Sequence, residues 1–356
     1  MNPYQNLPPE RFWRTGVSEK TVFSFDNFWA SKWELPQNAR FSTYGSCFAQ
    51  HISRELQARG IPWLNAEPAP RNTPVEIARR FNYGIYSSRT GNIYTVRQLK
   101  TWLDLAVDPK KCAKIECFEQ DGRFYDSLRP AVEPDGFASE AEMRASLNTT
   151  ARMFGKSVAD VDVFVFTLGL TEGWENAKTK QVYPVCPGTI AGEFDPDLHV
   201  FKNYSYPEIM ADLEASFKLM RKLNKDLRIL LTVSPVPLTA TASGQHVLPA
   251  TTYSKSTLRA IAGDAANAHD YVDYFPSYEV ITGQPTRSIF YESNLRSVAL
   301  PGVDVVMKYF FGGLNMTGAA SAHGDEAAQR EAAADAAIAA EDLVCEEEVL
   351  EAANAS

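Results

Sequence analysis

Gly45-Ser46-Cys47-Phe48-Ala49 sets a hydroxyl and a thiol side by side where a strand-like run, Phe41 to Tyr44, gives way to a helix-like one, Gln50 to Leu56. A serine at a strand-to-helix turn holds its hydroxyl outside the sheet, beside the unbonded N–H groups and positive potential of the helix N-terminus. An oxyanion formed there is stabilised, and the setting is that of a nucleophile elbow. Gly45 lets the backbone turn tightly and lets a substrate approach. Ser46 would serve equally well as an ordinary N-cap. Cys47 is the rival nucleophile, because a helix N-terminus also favours a thiolate. Its side chain is expected to point away if that of Ser46 points in.

The elements that must position this turn read as alternating strands and helices. Strands are expected at 40–44, 161–168, 227–233 and 271–275, and helices at 47–59, 75–82, 96–107, 207–223, 254–268 and 301–311, the last with Pro301 as its first residue. A proline-rich loop runs from Pro62 to Pro74, residues 109–150 read as a polar inserted cap, and a long loop follows 168. Residues 1–39 form an arm whose many aromatic side chains are expected to wrap the core. The alternation predicts an α/β fold with a parallel, doubly wound sheet over 40–312. In such a sheet the ligand sits at the carboxyl ends of the strands. The first loop on that edge carries Ser46. The second carries Gly169 to Trp174 and then Asp195-Pro196-Asp197-Leu198-His199, and the third carries Ser234-Pro235 and Gln245-His246.

Tyr44-Gly45-Ser46-Cys47-Phe48-Ala49 resembles the signature of the GSCFA family. Further stretches resemble the same family: 89–95 (RTGNIYT), 166–172 (FTLGLTE), 232–237 (TVSPVP), 253–256 (YSKS) and 274–279 (YFPSYE). That family is similar to the SGNH (GDSL-like) hydrolases, esterases and acyltransferases on a flavodoxin-like sheet. The resemblance implies Ser46 as nucleophile. It implies an oxyanion site from the Ser46 N–H, Gly169 and the position of Thr171, where SGNH enzymes carry an asparagine. A threonine hydroxyl donates one bond at shorter reach, and Asn92 of the Gly91-Asn92 pair could supply the missing amide, although Gly91-Asn92 also reads as a plain turn. The Asp-x-x-His expected before the last helix is replaced by Asn294-Leu295-Arg296-Ser297, and neither Asn294 nor Ser297 is a general base.

The proton acceptor must then come from another histidine. Of five, His323 lies in the tail, His269 ends a helix on the opposite edge, and His51 points sideways on the first helix. His246 and then His199 are expected to serve, with Glu172 or Asp197 orienting the imidazole. Asp195, Asp197 and His199 alternate and could instead ligate a metal, which Pro196 disfavours.

Composition narrows the function. The net charge is −9, but the ten acidic residues and one arginine between Asp325 and Glu351 carry all of it, so the rest of the chain is neutral. A neutral body without a basic stripe argues against nucleic acid. The Ala/Glu-rich segment 313–356 reads as a solvated, loosely helical or disordered tail, with docking of a protein partner as the minority reading. No apolar run is long enough to span a membrane. The N-terminus has no signal-peptide pattern and five cysteines lack CxxC spacing, so a reduced, cytoplasmic setting with no cofactor is expected. The overall expectation is an acyl-ester hydrolase or O-acyltransferase, with carbohydrate-linked acyl groups among its candidate substrates. The alternative is an inactive module of that fold that binds a glycan or a protein.

Overall fold

A computed structural model describes residues 2–316 and 349–350. Its elements are β1 (Phe41–Gly45), α1 (Ala49–Ala58), α2 (Val75–Arg80), α3 (Val96–Val107), β2 (Cys117–Gln120), β3 (Arg123–Asp126), α4 (Glu140–Ala159), β4 (Val163–Leu168), β5 (Glu172–Asn176), β6 (Val182–Tyr183), β7 (His199–Asn203), α5 (Tyr206–Leu223), β8 (Arg228–Val233), α6 (Val247–Ala268), β9 (Val272–Tyr274), α7 (Ser277–Thr282) and α8 (Leu300–Leu314).

The central sheet is parallel in the order β1-β4-β8-β9, with Phe41 opposite Val163, Val163 opposite Arg228 and Ile229 opposite Val272. On the outer side of β1 the chain returns after α1 for a single parallel bridge, Phe41 to Trp63. Two backbone bonds hold it: the Phe41 N–H donates to the Pro62 carbonyl and the Leu64 N–H to the Phe41 carbonyl, both at 2.8 Å. Counting that bridge as a vestigial strand, the spatial order is 2-1-3-4-5. A longer strand is blocked because proline brings no N–H to a ladder. The chain leaves β1 toward Trp63 and then crosses to β4 on the other side, so the carboxyl end of β1 is the topological switch point, where open α/β sheets hold their ligands.

Period-2 alternation assigns the two faces. Phe164, Phe166 and Leu168 join Ile229, Leu231 and Val233 under α3, α4, α5 and α6. Val163, Val165, Phe41 and Leu230 face α1, α8 and the arm. Helices on both faces make the sheet doubly wound, as expected. In the arm, Phe25, Phe28, Trp29 and Trp33 pack against the second cluster, whereas Phe12, Trp13 and Phe23 stay exposed, so only its later half wraps the core.

Three expectations need correction. Residues 109–150 hold the β2–β3 hairpin and the start of a twenty-residue helix, α4, capped by the Ser139 side chain. The long loop after β4 is a small antiparallel sheet in the order β6-β5-β7. Helix α6 begins at Val247, ahead of the expected 254. The acidic segment from 317, apart from Val349 and Leu350, lies outside the described residues, as does His323.

Candidate functional site

Gly45 ends β1 at a φ of +138°, and a Cβ there would stand 2.7 Å from the Thr167 Cβ. Only glycine tolerates both the conformation and the close approach of β4. The next residue, Ser46, is buried, and its Oγ has no hydrogen-bond partner among the described residues. Ser46 does not cap α1 with its side chain. Phe48 occupies the cap position, and Ser46 contributes its carbonyl, which accepts from Ala49 N at 2.9 Å. Ser46 instead lines a cavity of about 10 Å³, roughly the room of one water, together with Cys47, Tyr94, Gly169, Ser234 and Lys255 among others.

Gly169 approaches the serine as the resemblance implies: a Cβ there would lie 3.0 Å from the Ser46 Cβ and 2.9 Å from the Tyr94 carbonyl oxygen. The backbone donors expected for an oxyanion are engaged, however. Ser46 N–H donates to the Thr167 carbonyl at 3.3 Å, and Gly169 N–H donates to the Tyr94 carbonyl at 3.2 Å. Thr171 donates its N–H to Ser254 Oγ at 3.0 Å, and its own hydroxyl is buried with no partner among the described residues. Gly91 turns the chain at a φ of +66°, and Ile93 N–H donates to the Gly45 carbonyl at 2.8 Å. Asn92 thereby comes beside the serine turn. The Tyr86 hydroxyl lies within bonding distance of both Asn92 Oδ1 and the Ser46 carbonyl, the latter at 3.1 Å.

Among the described residues no histidine lines the cavity. His246 is exposed and caps α6, its Nδ1 accepting from Leu248 N at 3.1 Å. His199 is buried on β7 against Tyr183, its Nδ1 accepting from Asp195 N at 3.0 Å and its Nε2 unpartnered among the described residues. His51 is buried on α1, and His269 pairs with Glu214 at 2.7 Å. Glu172 accepts from Thr241 Oγ1 at 2.9 Å. Burial raises its carboxyl above the usual range, and the Thr241 bond works against that shift. Asp197 donates its N–H to Asp195 Oδ1 at 2.8 Å, and no metal-holding group of three or more His, Cys, Asp or Glu occurs among the described residues. Asn294 closes an exposed turn, with Oδ1 accepting from Ser297 N at 2.9 Å and Nδ2 donating to Ser297 Oγ at 3.0 Å. Neither Asn294 nor Ser297 lines the cavity. Their loop nevertheless touches the third edge loop, since Tyr291 donates its hydroxyl proton to the Pro235 carbonyl at 2.7 Å.

The residue that the sequence reasoning passed over is Lys255. It is 1% exposed, and its Nζ donates to the Gly169 carbonyl at 2.7 Å. A signal was present: Lys255, Leu258 and Ala262 fall on one buried stripe of α6 at helical spacing.

A larger concavity, about 870 Å³, is an open groove between α1, α2 and the start of α8, lined by groups of both signs such as Arg54, Arg79 and Asp304. Ser46 does not line it; the chemistry-bearing residues meet in the small cavity at the switch point. Among the described residues no helix is long and apolar enough to cross a membrane. No curated protein and no solved structure matches this chain. The sequence profile of the GSCFA family matches residues 40–310, from the first strand to within α8, and the chain belongs to that family.

Proposed function

We propose that this protein is a serine acyl hydrolase or O-acyltransferase of the SGNH type, with Ser46 as its nucleophile and small acyl esters, carbohydrate-linked ones among them, as substrates. The observation that carries the reading is the Ser46 hydroxyl. It is buried, it makes no hydrogen bond among the described residues and it stands at the switch point of the sheet against Gly169. A buried hydroxyl left unbonded costs about 1–3 kcal/mol. It caps nothing, so a structural role gives no return for that cost.

The second reading, an inactive module that binds a glycan or a protein, draws on the backbone donors spent on Thr167 and Tyr94 and on the absence of a histidine from the cavity. Two measurements decide between them. A fluorophosphonate is expected to add once, at Ser46, as located by peptide mass mapping. Ser46→Ala is expected to lose the label and on the order of 10³-fold of acetyl-ester turnover, with no loss of thermal stability. An unlabelled wild-type protein, or turnover retained in Ser46→Ala, leaves the binding module as the reading.

A further inference from the structure

We infer that Lys255 is the proton acceptor for Ser46, in the place that a histidine holds in an ordinary serine triad. The inference rests on the acyl-transfer reading above and adds the residue which that reading lacks.

Three observations converge on it. Lys255 lines the same small cavity as Ser46. Its Nζ is held at the Gly169 carbonyl, and the Gly169 backbone abuts the Ser46 side chain. The preceding residue, Ser254, accepts the Thr171 N–H, so two consecutive residues of α6 clamp the loop after β4 and leave the lysine little freedom to swing away. Removing an ammonium from water favours the neutral amine, and an amine that shares a small cavity with a hydroxyl has only that cavity to cross to act as its general base.

The chemistry balances with no other reactant than the ester and water or an acceptor alcohol. The Ser46 Oγ–H proton passes to the Lys255 amine as Oγ bonds to the acyl carbon. The bond from that carbon to the leaving alkoxide breaks, and the ammonium returns the proton to the alkoxide. Water or the acceptor hydroxyl then attacks the acyl-serine and gives its proton to Lys255. The Oγ–carbon bond breaks, and the proton goes back to Ser46. Each ammonium forms in the cavity where the tetrahedral oxyanion carries its negative charge, an electrostatic partner for a site whose backbone donors are engaged elsewhere.

A lysine that only braced the loop would be replaceable without changing proton transfer, and the test is built on that difference. The full-length wild type, Lys255→Met, Lys255→Arg and Lys255→Ala are compared by circular dichroism melting and by rate of fluorophosphonate addition to Ser46 between pH 6 and 10. The wild-type rate is expected to rise with pH as the amine loses its proton. Lys255→Met and Lys255→Arg are expected to react about 10²-fold or more slowly, with that ionisation gone from the profile. Methylamine is expected to restore Lys255→Ala by about 10-fold or more, within the same general-base range. A folded Lys255→Met or Lys255→Arg that labels Ser46 as fast as wild type with the same pH profile overturns the inference and leaves the acyl-transfer reading standing. If Lys255→Met fails to fold, a flat wild-type profile together with no amine rescue overturns it equally. A wild type that does not label at Ser46 sinks the underlying reading, and this inference with it.

Discussion

Ser46 and His51 lie five positions apart, and burial treats them differently. The Ser46 hydroxyl is buried with no bond among the described residues, beside a cavity, a cost that the proposed acyl transfer would explain. His51 is buried on α1 with its ring 5.3 Å from that of Phe48. Burial, helped by the nearby Arg54 cation, lowers its pKa to about 3, against about 6.5 for a free imidazole. The unfolded chain takes up a proton that the folded protein refuses, so stability falls as pH drops from about 6.5 toward 3. Urea unfolding at pH 7 and pH 4 is expected to show His51→Gln losing about 3 kcal/mol less than wild type over that interval. An equal acid loss in both proteins would show that His51 is not held neutral.

Among the elements, α6 is the one whose two ends do different work. Its N-terminus is sealed by His246 through the bond from Leu248 N, and its next turns carry Ser254 and Lys255 to the loop after β4. His246→Ala is expected to cost about 1 kcal/mol as a lost cap and to leave acetyl-ester turnover within twofold of wild type. A drop of 10²-fold would return His246 to the role of base.

The same helix shows what the sequence disclosed and what it hid. Strands β4 and β8 were legible because both faces are covered, which makes them unbroken apolar runs. Gly45 and Gly169 were legible because a tight turn and a close backbone approach restrict the residue type. Helix α4 was missed because its buried stripe, Met143, Leu147, Thr150, Ala151 and Phe154, is diluted by threonine and alanine. Strands β5 to β7 are short and carry Glu172, Asn176 and Lys202, which read as loop. Lys255 stayed hidden because a helical lysine is almost always solvated, and only the packing of α6 on Gly169 shows that this one is not. The base inferred from loop topology and the base inferred from the cavity therefore differ, and the labelling experiment separates them.

At the scale of the whole molecule the arm ties residues 25–33 to the helix Leu300–Leu314. The Trp29 ring meets Phe275 edge to face at 5.0 Å and stacks on Phe310 at 6.4 Å, over Gly313, where no side chain would fit beneath it. The Tyr309 hydroxyl accepts from Phe25 N at 2.9 Å. Lys32 Nζ donates to the carbonyls of Ala266 and Val272, beside the carboxyl end of α6. Trp29→Ala is expected to cost about 3–5 kcal/mol of stability, read by chemical denaturation. A loss under 1 kcal/mol would mean that the arm rests on the core without supporting it.

The seam between Trp29 and α8 has a consequence for the protein as it is made. The arm is synthesised first and its seat, Leu300–Leu314, among the last of the described residues. At about 5–20 residues per second, the ribosome needs roughly 15–60 s between the two. Throughout that interval Phe25, Phe28, Trp29 and Trp33 have no surface to dock on, while the strands between them can already pair. The nascent chain therefore presents an aromatic segment to any holding chaperone, and the two-faced core closes only when the end of α8 clears the exit tunnel.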